Sequence, residues 1–312
     1  MEQLSNLKSE ISKVIIGKEE EIDLLAIALL FNGHILLESV PGTGKTQLAK
    51  SFSSCINGEF SRIQFTPDVL PSDVTGIQFF NPKSQEFELR PGPIVANIVL
   101  ADEINRATPR TQSSLLEVME ERQVTIDGIS VKVQEPFMVI ATQNPVDSQQ
   151  GTFQLPAAQM DRFLFKIEMS YPSIEEEKII LRNGRLGSAG AELEAILSHD
   201  EIMQMKKEVQ QIKINDAVEE YIVEVIRKTR QHPDIDLGAS PRAALALMKA
   251  AQGTAYLQNR TFVIPEDVKR MVPHVLGHRL ILSTEASLTK TMTNVLEDVL
   301  ESVPVPVETG SI

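Results

Sequence analysis

The 312-residue chain is 42% hydrophobic and 23% charged, the balance of a globular protein long enough for one large domain or two ordinary ones. Its 30 basic against 43 acidic side chains leave a formal charge of -13, which argues against general coating of DNA or RNA while leaving room for a local basic channel. The lone cysteine, Cys55, excludes an intrachain disulfide and reads as a small buried apolar side chain rather than a reactive thiol.

In chain order, residues 1 to 32 read as two helices. Leu4, Leu7, Ile11 and Val14 recur at helical spacing, and a break at Ile16-Gly17-Lys18 separates the first helix from the second. The longest apolar run, Leu24 to Phe31, is too short to span a bilayer, and the early acids Glu2, Glu10 and Glu19 to Glu21 are unlike a signal peptide. A cytoplasmic protein without a membrane segment is expected. Short apolar runs then alternate with helical stretches: Ile35–Leu37, Ile63–Phe65, Ile98–Ala101, Met138–Thr142 and Phe163–Glu168. That rhythm predicts an α/β fold, a mostly parallel sheet covered by helices on both faces. Residues 76–90 and 122–137 break it with alternating patterns around turns, and Asp127-Gly128 is a hairpin signal. From about Tyr171 the strand signals almost stop and helical periodicity takes over. Asn215 and Ser240 are candidate caps, and Pro241 fits a first helical position. We therefore expect an α/β domain over residues 1–170 and an all-α domain with a C-terminal tail over 171–312, its last ten residues frayed.

The candidate chemistry begins at "ESVPGTGKTQLAK", which follows the first apolar run. It nearly spells G-x-x-x-x-G-K-[ST], with Ser39 in place of the first glycine. Such a loop works because successive backbone N–H groups wrap phosphates at a helix N-terminus, and Gly42 and Gly44 retain the freedom that wrap needs. Lys45 would pair with the β- and γ-phosphates, and the Thr46 hydroxyl would ligate Mg2+. The candidate phosphate-binding residues of the loop are Pro41, Gly42, Thr43, Gly44, Lys45, Thr46 and Gln47. A second signal is "NIVLADEINRA", a buried strand ending in Asp102-Glu103. Phosphoryl transfer to water needs a metal-organising carboxylate and a group that activates water, and adjacent acids at a strand end supply both. Asp102 takes the first role and Glu103 the second. A third strand, "FMVIATQNP", places Asn144 where strand ends converge, a position suited to holding the lytic water.

Together these phrases resemble an AAA+ ATPase, and within that superfamily the MoxR family. "HILLESVPGTGKT", "FTPDVLPSDVTG", "LRPGPIVANIVLADEINRATPRTQSSLLEVMEERQVTIDG", "PFMVIATQNP" and "LPAAQMDRFLFKI" carry the likeness from about residue 33 to 168. Residues 171–283 resemble the family's helical lid, mainly through "GASPRAALAL", while 284–312 carry no likeness. The resemblance implies that Lys45 and Thr46 belong to Walker A, Asp102 and Glu103 to Walker B, and Asn144 to sensor 1. Arg162 matches the arginine finger presented to a neighbouring subunit, and Arg242 matches sensor 2. On residue chemistry alone, Arg162 after Asp161 reads first as a structural ion pair, and Arg242 reads also as a solvated helix-start residue; Arg106 and Arg110 remain additional candidates facing a neighbour. The segment Ile15-Ile16-Gly17-Lys18 matches an adenine contact, and the two hairpins match the helix-2 insert and the pre-sensor-1 hairpin. Two departures stand out: Ser39 replaces a glycine, and Ala157 stands where the family usually has glutamate.

The resemblance implies an ATPase using ATP and Mg2+, active as a homo-oligomer, a hexameric ring. It would serve chaperone-like remodelling, maturation or metal insertion in client protein complexes, with a von Willebrand factor A domain protein as partner in trans. A helicase-like nucleic-acid motor is the alternative, disfavoured by the charge of -13. A small-molecule kinase or transferase is disfavoured by Glu103, Asn144 and the helical lid.

Overall fold

The computed structural model describes residues 2–40, 42–145, 151–185 and 192–306. Two compact units are present, Met1–Phe163 with Ile167–Met203 and Leu164–Lys166 with Gln204–Ile312. This division falls at residue 203, whereas the loss of strand signal suggests 170. The cause is local: Asn57 N–H donates to Leu197 O at 2.8 Å and Glu194 N–H to the Glu10 carboxylate at 3.3 Å, so residues 192–203 bond within the first unit.

The first unit opens with α1 (Glu2–Ser12) and α2 (Glu19–Leu30). Glu19, Glu20 and Glu21 occupy the first turn of α2, where the helix dipole favours anions, and the remainder of that helix is almost wholly apolar and buried. There follow β1 (Ile35–Glu38), α3 (Lys45–Ser54), β2 (Phe60–Gln64), α4 (Pro71–Thr75) and the hairpin β3 (Gly76–Asn81) with β4 (Glu86–Pro91). Next come β5 (Ile98–Asp102), α5 (Pro109–Glu121), the hairpin β6 (Gln123–Ile126) with β7 (Ile129–Lys132), and β8 (Met138–Gln143). After them lie α6 (Ala157–Met160), β9 (Phe165–Glu168) and α7 (Ile174–Arg185).

The central sheet runs β2-β5-β8-β1-β9, and the β2–β5, β5–β8 and β8–β1 pairings are parallel. Every residue of β5 is buried, as are the first five of β8, as expected for strands covered on both faces. In a sheet of this kind the strands' carboxyl ends open onto one crevice. The pairings Glu38 with Gln143 and Gln64 with Asp102 align those ends, setting the phosphate-loop entrance, the carboxylates and the end of β8 side by side. The expected Asp127-Gly128 turn joins β6 to β7 with φ of +48° and +86°, the positive pair a two-residue hairpin turn needs.

Two buried groups inside this unit show how polar atoms are accommodated. His34 accepts a hydrogen bond from Val139 N–H at Nδ1 (3.0 Å) and pairs through Nε2 with Met119 O (3.1 Å), tying β8 to α5. Burial pushes its pKa down to about 4, so the neutral ring is the one that folds. Cys55 is buried and its thiol is pushed up to about 11, as a structural cysteine requires.

The second unit is largely helical: α9 (Asp216–Thr229), α10 (Pro241–Leu257), α11 (Pro265–Leu276), the short α12 (Thr284–Ser287) and α13 (Met292–Ser302), preceded by α8 (His199–Val209), which spans the division. Asn215 caps α9 through Val218 N–H, and Ser240 caps α10 with Pro241 in its first turn. A two-stranded pairing, β10 (Ile235–Leu237) with β11 (Ile281–Leu282), also lies here; at three and two residues these strands are too short to leave an alternating signal. Residues beyond 283 join the fold through Val295, Leu296 and Val299 on the buried face of α13, and the tail expected to fray lies outside the described residues from 307 onward.

Candidate nucleotide site

Buried β1 delivers the chain to Glu38, from which it reverses into α3. Gly42 and Gly44 hold φ of +86° and +89°. A Cβ at either position would meet nothing within 4 Å, so glycine is needed there for its backbone conformation and not for space. The helix begins at Lys45 with no side chain capping its first turn, the arrangement that leaves N–H groups available to an anion. Ser39, standing where the motif has glycine, is buried and builds a closed set of hydroxyl bonds. Its Oγ lies 2.5 Å from Thr43 Oγ1 and 3.1 Å from Val40 O, while Thr43 Oγ1 reaches the same carbonyl at 3.2 Å. Lys45 Nζ donates to Ser39 O at 2.5 Å and to Gln143 O at 3.2 Å, spanning β1 and β8. Pro41 lies outside the described residues.

Asp102, only 5% exposed, sits at the end of β5 with its carboxylate fully engaged. Oδ1 accepts from Thr142 Oγ1 at 2.7 Å, and Oδ2 accepts from Arg62 Nη2 at 2.7 Å, Arg62 Nε at 3.2 Å and Thr46 Oγ1 at 3.3 Å. Glu103 takes the left-handed conformation, φ 59° and ψ 49°, a strained state for a branched backbone with a Cβ and one that concentrates at functional sites. Its N–H donates to Thr142 Oγ1 at 2.9 Å, so one hydroxyl on β8 fixes both acids. The Glu103 carboxylate accepts from Gln64 Nε2 at 3.0 Å and lies 3.3 Å from Arg106 Nε. The Thr46 hydroxyl and the Asp102 carboxylate are hard oxygen donors at one helix start, the kind of protein ligand Mg2+ takes alongside waters and phosphate oxygens.

Asn144 is buried just past β8, and its carbonyl accepts from Asn105 Nδ2 at 3.3 Å. Asn105 Oδ1 is itself buried and has no hydrogen-bond partner among the described residues. Gln47 is exposed on the first turn of α3, and Ile16 and Gly17 lie in the break between α1 and α2, Gly17 with φ of +70°. Arg162 follows α6, partly exposed, with Nε 3.8 Å from Glu120 Oε2. Ala157 begins α6, and Arg110 is exposed near the start of α5. Arg242, exposed in the first turn of α10, belongs to the second unit. The second unit also groups His232, Asp234 and Asp298, but Lys290 Nζ donates to both acids, at 2.8 and 3.0 Å, and offsets half of their charge.

Three residues of the carboxylate cluster escaped the motif reading: Arg62, Gln64 and, in its bridging role, Thr142. A signal for the first two exists in "SRIQ", where polar residues flank buried Ile63 at a strand's C-terminal end and so share one face.

Comparison with known proteins agrees with the fold. Residues 34–165 match the ATPase family associated with various cellular activities (AAA), and residues 227–300 match the AAA lid domain. Chaperone MoxR1 of Mycobacterium tuberculosis is 40% identical over 307 residues, covering 95% of this chain and 81% of its own. The chain belongs to the MoxR family of AAA+ ATPases. Another MoxR-family relative, Protein MoxR of Methylorubrum extorquens, is 29% identical over 97% of this chain and 95% of its own. YeaC of Bacillus subtilis, itself uncharacterised, is 47% identical over 99% and 97% of the two chains. A crystal structure of a candidate ATPase from Cytophaga hutchinsonii superposes with a TM-score of 0.91 at 36% identity, over 98% of this chain and 96% of that one. The MoxR kinship and the parallel core with its lid agree with the α/β AAA+ fold expected from the motifs. Among the described residues no helix is long and apolar enough to cross a membrane.

Proposed function

We propose that this MoxR-family protein hydrolyses ATP at the crevice formed by the ends of β1, β5 and β8, and does so in a ring, a hexamer, whose neighbouring protomers share each site. The observation that carries the reading is the meeting of Thr46, Asp102 and Glu103: the loop hydroxyl lies 3.3 Å from one acid, and the second acid is its chain neighbour. Lys45 binds the β- and γ-phosphates, and the N–H groups of residues 42–47 wrap them. Thr46 and Asp102 would hold Mg2+, which would supply positive charge against the phosphates. Glu103 takes a proton from the attacking water, and Asn144 orients that water. Arg162 reaches the γ-phosphate bound by the adjoining protomer, where a planar guanidinium suits the charge that develops on transfer. Arg242 contributes from the lid as sensor 2, and Ile16 and Gly17 lie along the base.

The mechanical output goes to client protein complexes, as kinship with a protein named a chaperone supports. The hairpins offer a surface for it: Phe79, Phe80 and Phe87 on β3 and β4 and Ile129 on β7 are all exposed, Phe87 by 67%. A cytoplasmic setting and a von Willebrand factor A domain partner in trans complete the proposal, with remodelling, maturation or metal insertion as the outcome for the client.

Shared sites make the rate depend on assembly. Specific ATPase activity should rise with protein concentration in parallel with the ring population seen by native mass measurement. Arg162→Ala should bind ATP normally, lose at least about 100-fold in rate, and be partly rescued in mixed rings. A rate per chain that is constant from monomer to ring, or full turnover by Arg162→Ala, would refute the shared site.

A further inference from the structure

The carboxylate cluster contains a cation where the proposed function calls for one. Arg62 directs both Nε and Nη2 at Asp102 Oδ2, at 3.2 and 2.7 Å, the same oxygen that Thr46 approaches at 3.3 Å. The guanidinium therefore neutralises the buried acid from the side on which a metal-holding pair is completed. Arg62 is also wired to the second acid. Its Nη2 donates to Gln64 Oε1 at 2.5 Å, and Gln64 Nε2 donates to Glu103 Oε2 at 3.0 Å. Both Arg62 and Gln64 stand on the same face of β2, two residues apart, and Gln64 pairs with Asp102 in the sheet. The planar guanidinium fork holds the Asp102 carboxylate and the Gln64 amide together in one fixed geometry.

We propose that Arg62 is a built-in competitor for the divalent cation at Asp102. The physical basis is charge: two cations drawn to one buried carboxylate repel each other, with partial screening because the Arg62 side chain is 41% exposed. Before loading, Arg62 stabilises Asp102; after loading, the guanidinium gives up part of its hold on Oδ2. Arg62 thus acts through Asp102 and touches no reacting atom. The proposal rests on the nucleotide reading above.

The test is binding of Mn2+ to the ADP-loaded full-length protein, followed by electron paramagnetic resonance. Arg62→Met should bind Mn2+ about 3- to 30-fold more tightly than the native chain, with Arg62→Lys in between. Unchanged or weaker Mn2+ binding by Arg62→Met would overturn the proposal, because an arginine that only braces Asp102 for the metal gives that result. Should Arg62→Met fail to fold, the native chain still decides: the Arg62 Nε–H resonance, assigned through Arg62→Lys, should shift when Mg2+ is added to the ADP-bound protein, and a resonance that stays in place would overturn it. ADP binding is measured first. Failure to bind ADP would refute the nucleotide reading, whereas ADP binding with an unmoved cation affinity would refute the competitor alone.

Discussion

The two ends of the nucleotide crevice are held together in opposite ways. At the phosphate loop the side-chain bonds are mostly local: Ser39 to Thr43 four residues on, Thr43 to Val40 three back, Lys45 to Ser39 six back. At the carboxylates they are not: Thr142 and Arg62 each reach Asp102 across 40 residues, and Gln64 reaches Glu103 across 39. The loop's shape is thus set by its own short stretch, while the acids take their positions from the register of β2, β5 and β8. A slip of one residue in any of these strands would turn Thr142 or Gln64 to the opposite face. The division of labour follows: changes in the loop should alter binding, and changes at the strand ends should alter chemistry.

The strongest test of that division is Glu103→Gln, which keeps the acceptor carbonyl and removes the base. Phosphate release should fall by about 100- to 10,000-fold while ATP affinity stays within about 3-fold in a nucleotide titration. A parallel loss of affinity would break the comparison. Next in size is Thr142→Val, which preserves shape and deletes the hydroxyl shared by Asp102 and Glu103. Both acids lose a partner, so turnover should drop by about 10-fold and unfolding in urea should come about 1–3 kcal/mol easier, with ADP affinity little changed. The smallest effect is expected from Ser39→Gly, which restores the motif glycine and removes the bonds to Thr43 and Val40. ADP should bind about 2- to 5-fold more weakly at unchanged maximal rate, the reverse pattern to Thr142→Val.

The same contrast governs what could be read before the fold was known. The phosphate loop is contiguous, so "ESVPGTGKT" carries its own geometry, and only the bracing role of the Ser39 hydroxyl needed coordinates. Asp102 and Glu103 were legible because apolar β5 announces a buried strand and the acids mark its end. Arg62 and Gln64 were not, since their roles exist only through sheet pairing, and a three-residue pattern on an edge strand does not say which neighbour it meets. Arg106, an additional candidate for a neighbour-facing role, lies 3.3 Å from Glu103 one turn away in its own chain, a contact the motifs did not announce. The domain division was masked for a related reason: α7 has helical periodicity like the second unit, yet residues 192–203 bond back to the first unit. Helical pattern reports the element and not its allegiance.

Lys45 and the loop before it are the part of the crevice on which nucleotide binding depends most directly. Titration of a fluorescent ADP against the native chain should give saturable binding, and Lys45→Ala should weaken it by at least about 100-fold without changing the melting temperature measured in the absence of nucleotide. Equal binding by the two proteins, or no saturable binding by either, would contradict it.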